Sequence, residues 1–95
     1  MTFMGYTVYI LYSNSGDKYY IGSTNNFQRR LQEHNGPNAK FTKKYQPWVT
    51  VYTETFKTRA EAVNVERYLK SLKNKERLHQ YIAGWRSKYF SSSPK

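Results

Sequence analysis

Tyr6-Thr7-Val8-Tyr9-Ile10-Leu11-Tyr12, then Ser13-Asn14-Ser15-Gly16-Asp17, then Lys18-Tyr19-Tyr20-Ile21-Gly22-Ser23: these three runs set the topology of the chain. The first run is β-branched and aromatic, the composition of a strand. The five residues after it are turn formers, and their number suits a hairpin loop. The third run returns to strand composition. An antiparallel hairpin is therefore expected, with Tyr9 and Tyr20 near corresponding levels, one on each strand. Tyrosines in strands ordinarily belong to the core.

Downstream, Asn25 to Asn35 reads as a helix, with Asn25 as its cap and Gln28 three residues on. At 100° per residue, Phe27, Leu31 and His34 share one face, Arg30 lies on its edge, and Arg29 points nearly opposite. Asn35-Gly36-Pro37 stops this helix. Residues 38–47 form a basic connector holding Lys40, Lys43 and Lys44, with room for one helical turn. Trp48 to Phe56 reads as a third strand. Thr58 and Glu61 form a capping box that opens a helix running through Leu72, with Ala62, Val65, Leu69 and Leu72 as its apolar stripe. Asn74 suits the cap of a last helix, from about Lys75 to Ala83, with Leu78, Tyr81 and Ile82 inward and Gly84 at the end. The order β-β-α-β-α-α predicts an α+β fold, a small three-stranded antiparallel sheet flanked by helices. One domain over 1–86 and a flexible Ser-rich tail over 87–95 are expected.

The composition narrows the function. At 95 residues the chain suits one core and not two. Its 18% aromatic content is foreign to a disordered chain. With no cysteine, disulfides, thiolate zinc sites and thiol nucleophiles are excluded. No apolar run approaches the ~20 residues of a membrane span, and no secretory signal is visible, so a cytoplasmic protein is expected. Sixteen Lys and Arg against six acids give a net charge of +10, which points to a polyanion, most often nucleic acid. Solubility alone is the plainer alternative. The acids, Asp17, Glu33, Glu54, Glu61, Glu66 and Glu76, are scattered singly. A two-metal nuclease needs clustered carboxylates, so any metal chemistry here must use few protein ligands.

Five positions need weighing. Glu66 lies beside the apolar stripe of its helix, where a carboxylate is rarely left without a partner. It is either one half of an i,i+4 pair with Lys70 or part of a site. Arg30 is either a buried stem with its head in water or a fork for a phosphate. His34 suits a helix end through the dipole, and Ser23 and Thr24 precede a helix start, where polar residues are ordinary.

In combination these residues resemble the GIY-YIG nuclease superfamily, in its small stand-alone bacterial form. That family carries Gly-Ile-Tyr and Tyr-Ile-Gly on its first two strands, an arginine in the next helix and a glutamate in a later one. Here Tyr20-Ile21-Gly22 is present verbatim, and Thr7-Val8-Tyr9 stands for the first motif with Thr7 in place of glycine. Arg30 follows Tyr20 by ten residues, His34 lies one turn on, and Glu66 takes the place of the glutamate. The resemblance runs from about Tyr6 to Leu72 and extends to the last helix in the small members.

It implies a divalent-metal-dependent endonuclease hydrolysing phosphodiester bonds of DNA, with RNA left open as a substrate. A single Mg²⁺ or Mn²⁺ ion would be held by Glu66. Arg30 would bind the phosphate, Tyr9 or Tyr20 would orient or deprotonate the attacking water, and His34 would relay a proton or touch the phosphate. Lys40, Lys43, Lys44, Arg67, Lys70 and Lys73 would contact the nucleic-acid backbone. Larger relatives add DNA-recognition domains, and none is read here. Structure-selective cutting, as in DNA repair or recombination, is expected of a monomer. The competing readings are a basic binding module that keeps the fold without turnover and an RNA-associated protein that stacks bases on its tyrosines. Glu66 separates them, because a pure binder gains nothing from a carboxylate that repels phosphate.

Overall fold

The computed structural model describes residues 5–90, with side chains through Lys88. Strands β1 (Tyr6–Ser13) and β2 (Lys18–Thr24) form the hairpin, paired so that Tyr9 faces Gly22 and Leu11 faces Tyr20. Tyr9 and Tyr20 are thus diagonal neighbours on one face. The turn closes through Asp17, whose φ of 51° is left-handed, and through Gly16 N, which donates to the buried Ser13 hydroxyl at 3.1 Å. Strand β3 (Trp48–Phe56) pairs antiparallel with the other side of β1, giving the order β2-β1-β3. Helix α1 (Phe27–His34) follows β2, a 3-10 turn spans Lys43–Tyr45, and α2 (Arg59–Leu72) and α3 (Lys75–Phe90) follow β3. The expected α+β architecture and element order are present.

The alternation of β1 divides the sheet into two apolar faces. Val8 and Ile10 face one way and pack with Tyr52, Ala62, Leu69, Leu78 and Ile82, so α2 and α3 cover that side. Tyr9 and Leu11 face the other way and pack with Trp48, Tyr20, Phe27, Leu31 and Tyr45, so α1 and the 3-10 turn cover it. Tyr52 and Trp48 are four residues apart on β3 and would share a face in a regular strand. An irregularity breaks the regular step: Ile10 pairs with Tyr52 but Leu11 pairs with Thr50, leaving Val51 extra. One added residue exchanges the faces, and Trp48 joins Tyr9 instead of Tyr52.

Two helix ends differ from their sequence reading. The cap of α1 is Asn26, whose Oδ1 accepts from Arg29 N at 3.2 Å, and not Asn25. Strand β2 continues to Thr24, whose hydroxyl accepts from Asn26 N at 3.0 Å, and this shifts the start by one residue. Helix α3 does not stop at Gly84 but runs through it to Phe90, so 87–90 of the expected tail are helical. Packing outweighs the glycine's propensity: Trp85, one residue later, sets its ring 5.1 Å from that of the buried Tyr52. Residues 91–95 of the expected tail lie outside the described residues. The capping box of Thr58 and Glu61 and the Asn74 cap of α3 form as read.

Two glycines give opposite expectations. A Cβ on Gly22 would stand 2.5 Å from the Tyr9 hydroxyl and 2.7 Å from its ring, whereas one on Gly84 meets nothing within 4 Å. Gly22→Ala is expected to destabilise by about 1–3 kcal/mol through overpacking. Gly84→Ala is expected to stabilise by about 0.5–1 kcal/mol through helix propensity. Urea unfolding of both variants checks the pair; equal effects would show that Tyr9 does not need the space over Gly22.

Candidate active site

Tyr9 is the floor of the site. It is 1% exposed, and its ring lies over Gly22, the only residue type that leaves room for it there. Its hydroxyl meets His34 Nε2 at 3.2 Å, and His34 Nδ1 meets the Thr42 hydroxyl at 3.2 Å. His34 is buried, as is Thr42, whose carbonyl accepts from Trp48 Nε1 at 2.8 Å. A chain of polar groups therefore runs from the sheet through α1 to the connector. Burial raises the Tyr9 phenol above its usual range; Arg30 beside it pulls the other way, while Tyr20 and Glu66 add to the rise. His34 moves downward, first by burial and then by Arg30, with Glu33 opposing. The imidazole is neutral near pH 7, one nitrogen donating and the other accepting.

Glu66 approaches from the opposite face of the sheet. Ser23, at the end of β2, donates to its Oε1 at 2.6 Å, and Lys70 Nζ lies 2.8 Å from Oε2. Its side chain is 20% exposed and that of Lys70 is 56% exposed. Burial opposes the charge on Glu66, but Lys70 and Ser23, with Arg59 behind them, outweigh it and hold the carboxyl below its usual range. The expected i,i+4 pair is thus real, and so is a second partner, Ser23, on the strand that carries Tyr20. Arg30 pairs with Glu33 at 2.8 Å, and Arg29 approaches the same carboxylate at 3.6 Å. Both Arg30 and Glu33 are substantially solvated, and such pairs contribute only ~0–1 kcal/mol, so a phosphate could replace Glu33 at small cost.

Tyr20 joins the parts. Its ring stacks at 6.3 Å on Tyr9 and lies 4.4 Å from His34. It is half-buried and lines two grooves. One, of about 620 Å³, is lined by Arg29, Arg30, His34, Lys40 and Phe41. The other, of about 460 Å³, runs past Lys18, Lys70, Lys73 and Lys75. Lys75 is tied to Asp17 at 2.8 Å.

A family model, the GIY-YIG catalytic domain, matches residues 5–81. The chain belongs to the GIY-YIG family. A UPF0213 protein of Bacillus licheniformis is 44% identical over 72 residues, 73% of each chain. One of Enterococcus faecalis is 40% identical over 77 residues, 78% of this chain and 85% of the relative. The solution NMR structure of a UPF0213 protein from Bacillus halodurans superposes with a TM-score of 0.57 at 27% identity, covering 96% of this chain and 100% of that one. A GIY-YIG catalytic domain implies nuclease-type chemistry and a nucleic-acid substrate.

Within this family member, the residues singled out in the sequence divide. Tyr9, Tyr20, Arg30 and His34 meet along one side of α1, and Glu66 lies near enough to act on the Tyr9 phenol. Lys40 lines the larger groove and Lys70 and Lys73 the smaller, while Lys44 sits 5.3 Å over the Tyr45 ring. Lys43 is exposed in the 3-10 turn, and Arg67 is exposed on α2, lining neither groove. Thr7 occupies a regular strand position, paired with Thr24 and Thr55, so the motif needs no glycine conformation there. Sequence reasoning missed Thr42, Glu33, Lys18 and Phe41. Glu33 was detectable, being three and four residues from two arginines; the others depend on tertiary approach. No helix among the described residues is long and apolar enough to cross a membrane.

The neutral His34 makes stability depend on pH. In the unfolded chain an imidazole protonates near ~6.5. As pH falls through that value the unfolded state gains a proton that the folded state lacks, and stability is lost down to the lower folded value. Urea midpoints measured from pH 7.5 to pH 5 are expected to fall, and His34→Gln to flatten the slope. A wild-type slope retained in the variant would show that another group is responsible.

Proposed function

We propose that this chain is a divalent-metal-dependent endonuclease acting on DNA, structure-selective rather than sequence-specific, of the kind that repair or recombination employs. One observation carries the reading: in a chain of net charge +10, the half-buried Glu66 is kept ionised by Lys70 and by Ser23 of the strand that also carries Tyr20. The donor set suits Mg²⁺ or Mn²⁺. Among the described residues no three of His, Asp and Glu gather, and Mg²⁺ typically keeps several waters and takes one or two carboxylates. Glu66 already attracts a cation, the exposed ammonium of Lys70, which a metal ion would displace. When bound, the ion would offset charge on the scissile phosphate and the leaving oxygen.

The chain's own residues do the rest. Arg30 leaves Glu33 for the phosphate and opposes its growing charge. Tyr20, the more accessible tyrosine, orients the attacking water. Tyr9 is too buried for that role and instead holds His34 in place under the Tyr20 ring. The lysines of both grooves follow the backbone and supply affinity without sequence information.

Glu66→Gln keeps the shape and the Ser23 bond but removes the charge. Cleavage in Mg²⁺ is expected to drop on the order of 10²-fold or more. DNA binding in EDTA should persist or tighten, because a repulsive charge is gone. Circular dichroism and a gel assay on flapped and branched DNA measure this; a folded variant cutting at the wild-type rate would leave the binding module as the better reading. Tyr20→Phe should slow single-turnover cleavage at unchanged affinity, whereas Tyr9→Phe should also lower stability, by about 1 kcal/mol. If Tyr20→Phe cuts at the wild-type rate, the water is oriented elsewhere.

A further inference from the structure

Phe41 is 87% exposed, the most exposed of the large hydrophobic side chains described. It lines the larger groove together with Tyr20, and in the sequence Lys40 precedes it and Lys43 and Lys44 follow closely. A scattered exposed hydrophobe needs no explanation. This one is held outward by its neighbour. Thr42 is buried, with its hydroxyl on His34 and its carbonyl on Trp48 Nε1, so the connector is anchored one residue away. Gln46 pins the same segment to the end of α1 by donating to the carbonyls of His34 at 2.8 Å and Gly36 at 2.7 Å.

We infer that Phe41 is a stacking platform for an unpaired base of single-stranded nucleic acid lying in the larger groove. This rests on the nucleic-acid reading above and adds a specificity determinant to it. The groove's volume, about 620 Å³, lies within the ~300–1,000 Å³ of small-ligand sites, which suits one or two nucleotides and not a duplex. Its cations are placed for a backbone: Arg29, Arg30 and Lys40 line it, and among the described residues Glu33 is its sole acid, already shared by both arginines. An aromatic face beside a row of cations is how single strands are held without sequence preference. In a duplex the base faces are already stacked and Phe41 has nothing to cover. Phe41 thus favours substrates with unpaired nucleotides next to the scissile bond. An apolar protein partner fits less well, since Phe41 stands in a basic segment, with Lys40 before it and Lys43 and Lys44 after.

Binding in EDTA tests this apart from catalysis. Phe41→Ala is expected to weaken binding to a mixed-sequence single strand by roughly 5- to 100-fold, the range of one base–aromatic stack. Affinity for a duplex of the same length should change less than twofold. With a strand whose bases are replaced by abasic sites, wild type and Phe41→Ala should bind alike. Phe41→Trp should keep the affinity, and its fluorescence above the wild-type background should be quenched by the normal strand and not by the abasic one. Equal affinity of wild type and Phe41→Ala for the normal strand would overturn the inference while leaving the nuclease reading intact. A wild-type protein that binds neither strand nor duplex at low salt would overturn both.

Discussion

The ring of Tyr9 lies across Gly22, and the site follows from that contact. The central strand presents Tyr9 toward α1, while Glu66 belongs to a helix on the other face. Side chains on opposite faces of a sheet do not ordinarily act on one another. Here the edge strand carries no Cβ at the position paired with Tyr9, so the ring can lie flat over the strand. Its hydroxyl then reaches His34 on one side and falls within the field of Glu66. Ser23, the next residue of the same strand, points the other way and holds Glu66. The Tyr-Ile-Gly-Ser run thus does two things by alternation: Tyr20 and Gly22 serve the α1 face, Ile21 and Ser23 the α2 face.

The connector after α1 is irregular in backbone but heavily tied. Asn35 exchanges two bonds with Trp48, donating to its carbonyl at 3.0 Å and accepting from its N–H at 2.7 Å. Together with the Gln46 and Thr42 bonds, these join the end of α1 to the start of β3. Trp48 can take part only because the irregular pairing of β3 turns it toward Tyr9 and Leu11. A feature far from the chemistry therefore sets the wall of the larger groove and the position of His34.

How much of this could be read from the sequence depended on whether the signal was local. The hairpin was legible because turn formers separate two β-branched and aromatic runs, and α2 because Thr58 and Glu61 cap it reciprocally. Tyr9, Tyr20, Arg30 and Glu66 were legible from motif and spacing. The course of α3 past Gly84 was not, because a glycine in a helix costs only ~1 kcal/mol and Trp85 and Ile82 supply more by packing. Nor was the role of Thr42: its partners, His34 and the Trp48 indole, are eight and six residues away, across a loop whose path no periodicity fixes. His34 looked like a dipole cap, and its burial became visible only once that loop closed over it.

The acids show most sharply what the fold is organised around. Asp17 ties the hairpin turn to Lys75 and accepts from Tyr12 at 2.8 Å. Glu54 accepts from the buried Tyr52 hydroxyl at 2.8 Å, Glu61 closes a capping box, and Glu76 lies in the first turn of α3, where the helix dipole favours it. Glu33 balances two arginines on the solvent side of α1. Each of these five has work in the architecture, and most are well solvated. Glu66 is different: it is half-buried, burial works against its charge, and two side chains from different elements are needed to keep it ionised. An uncharged residue at that point of α2 would pack against the same stripe without the desolvation cost. A protein that only bound phosphates would also be rid of a repulsive charge beside its grooves. On the proposed function the negative charge is itself the functional group, and a carboxylate that holds a cation opposite a phosphate would be such a group.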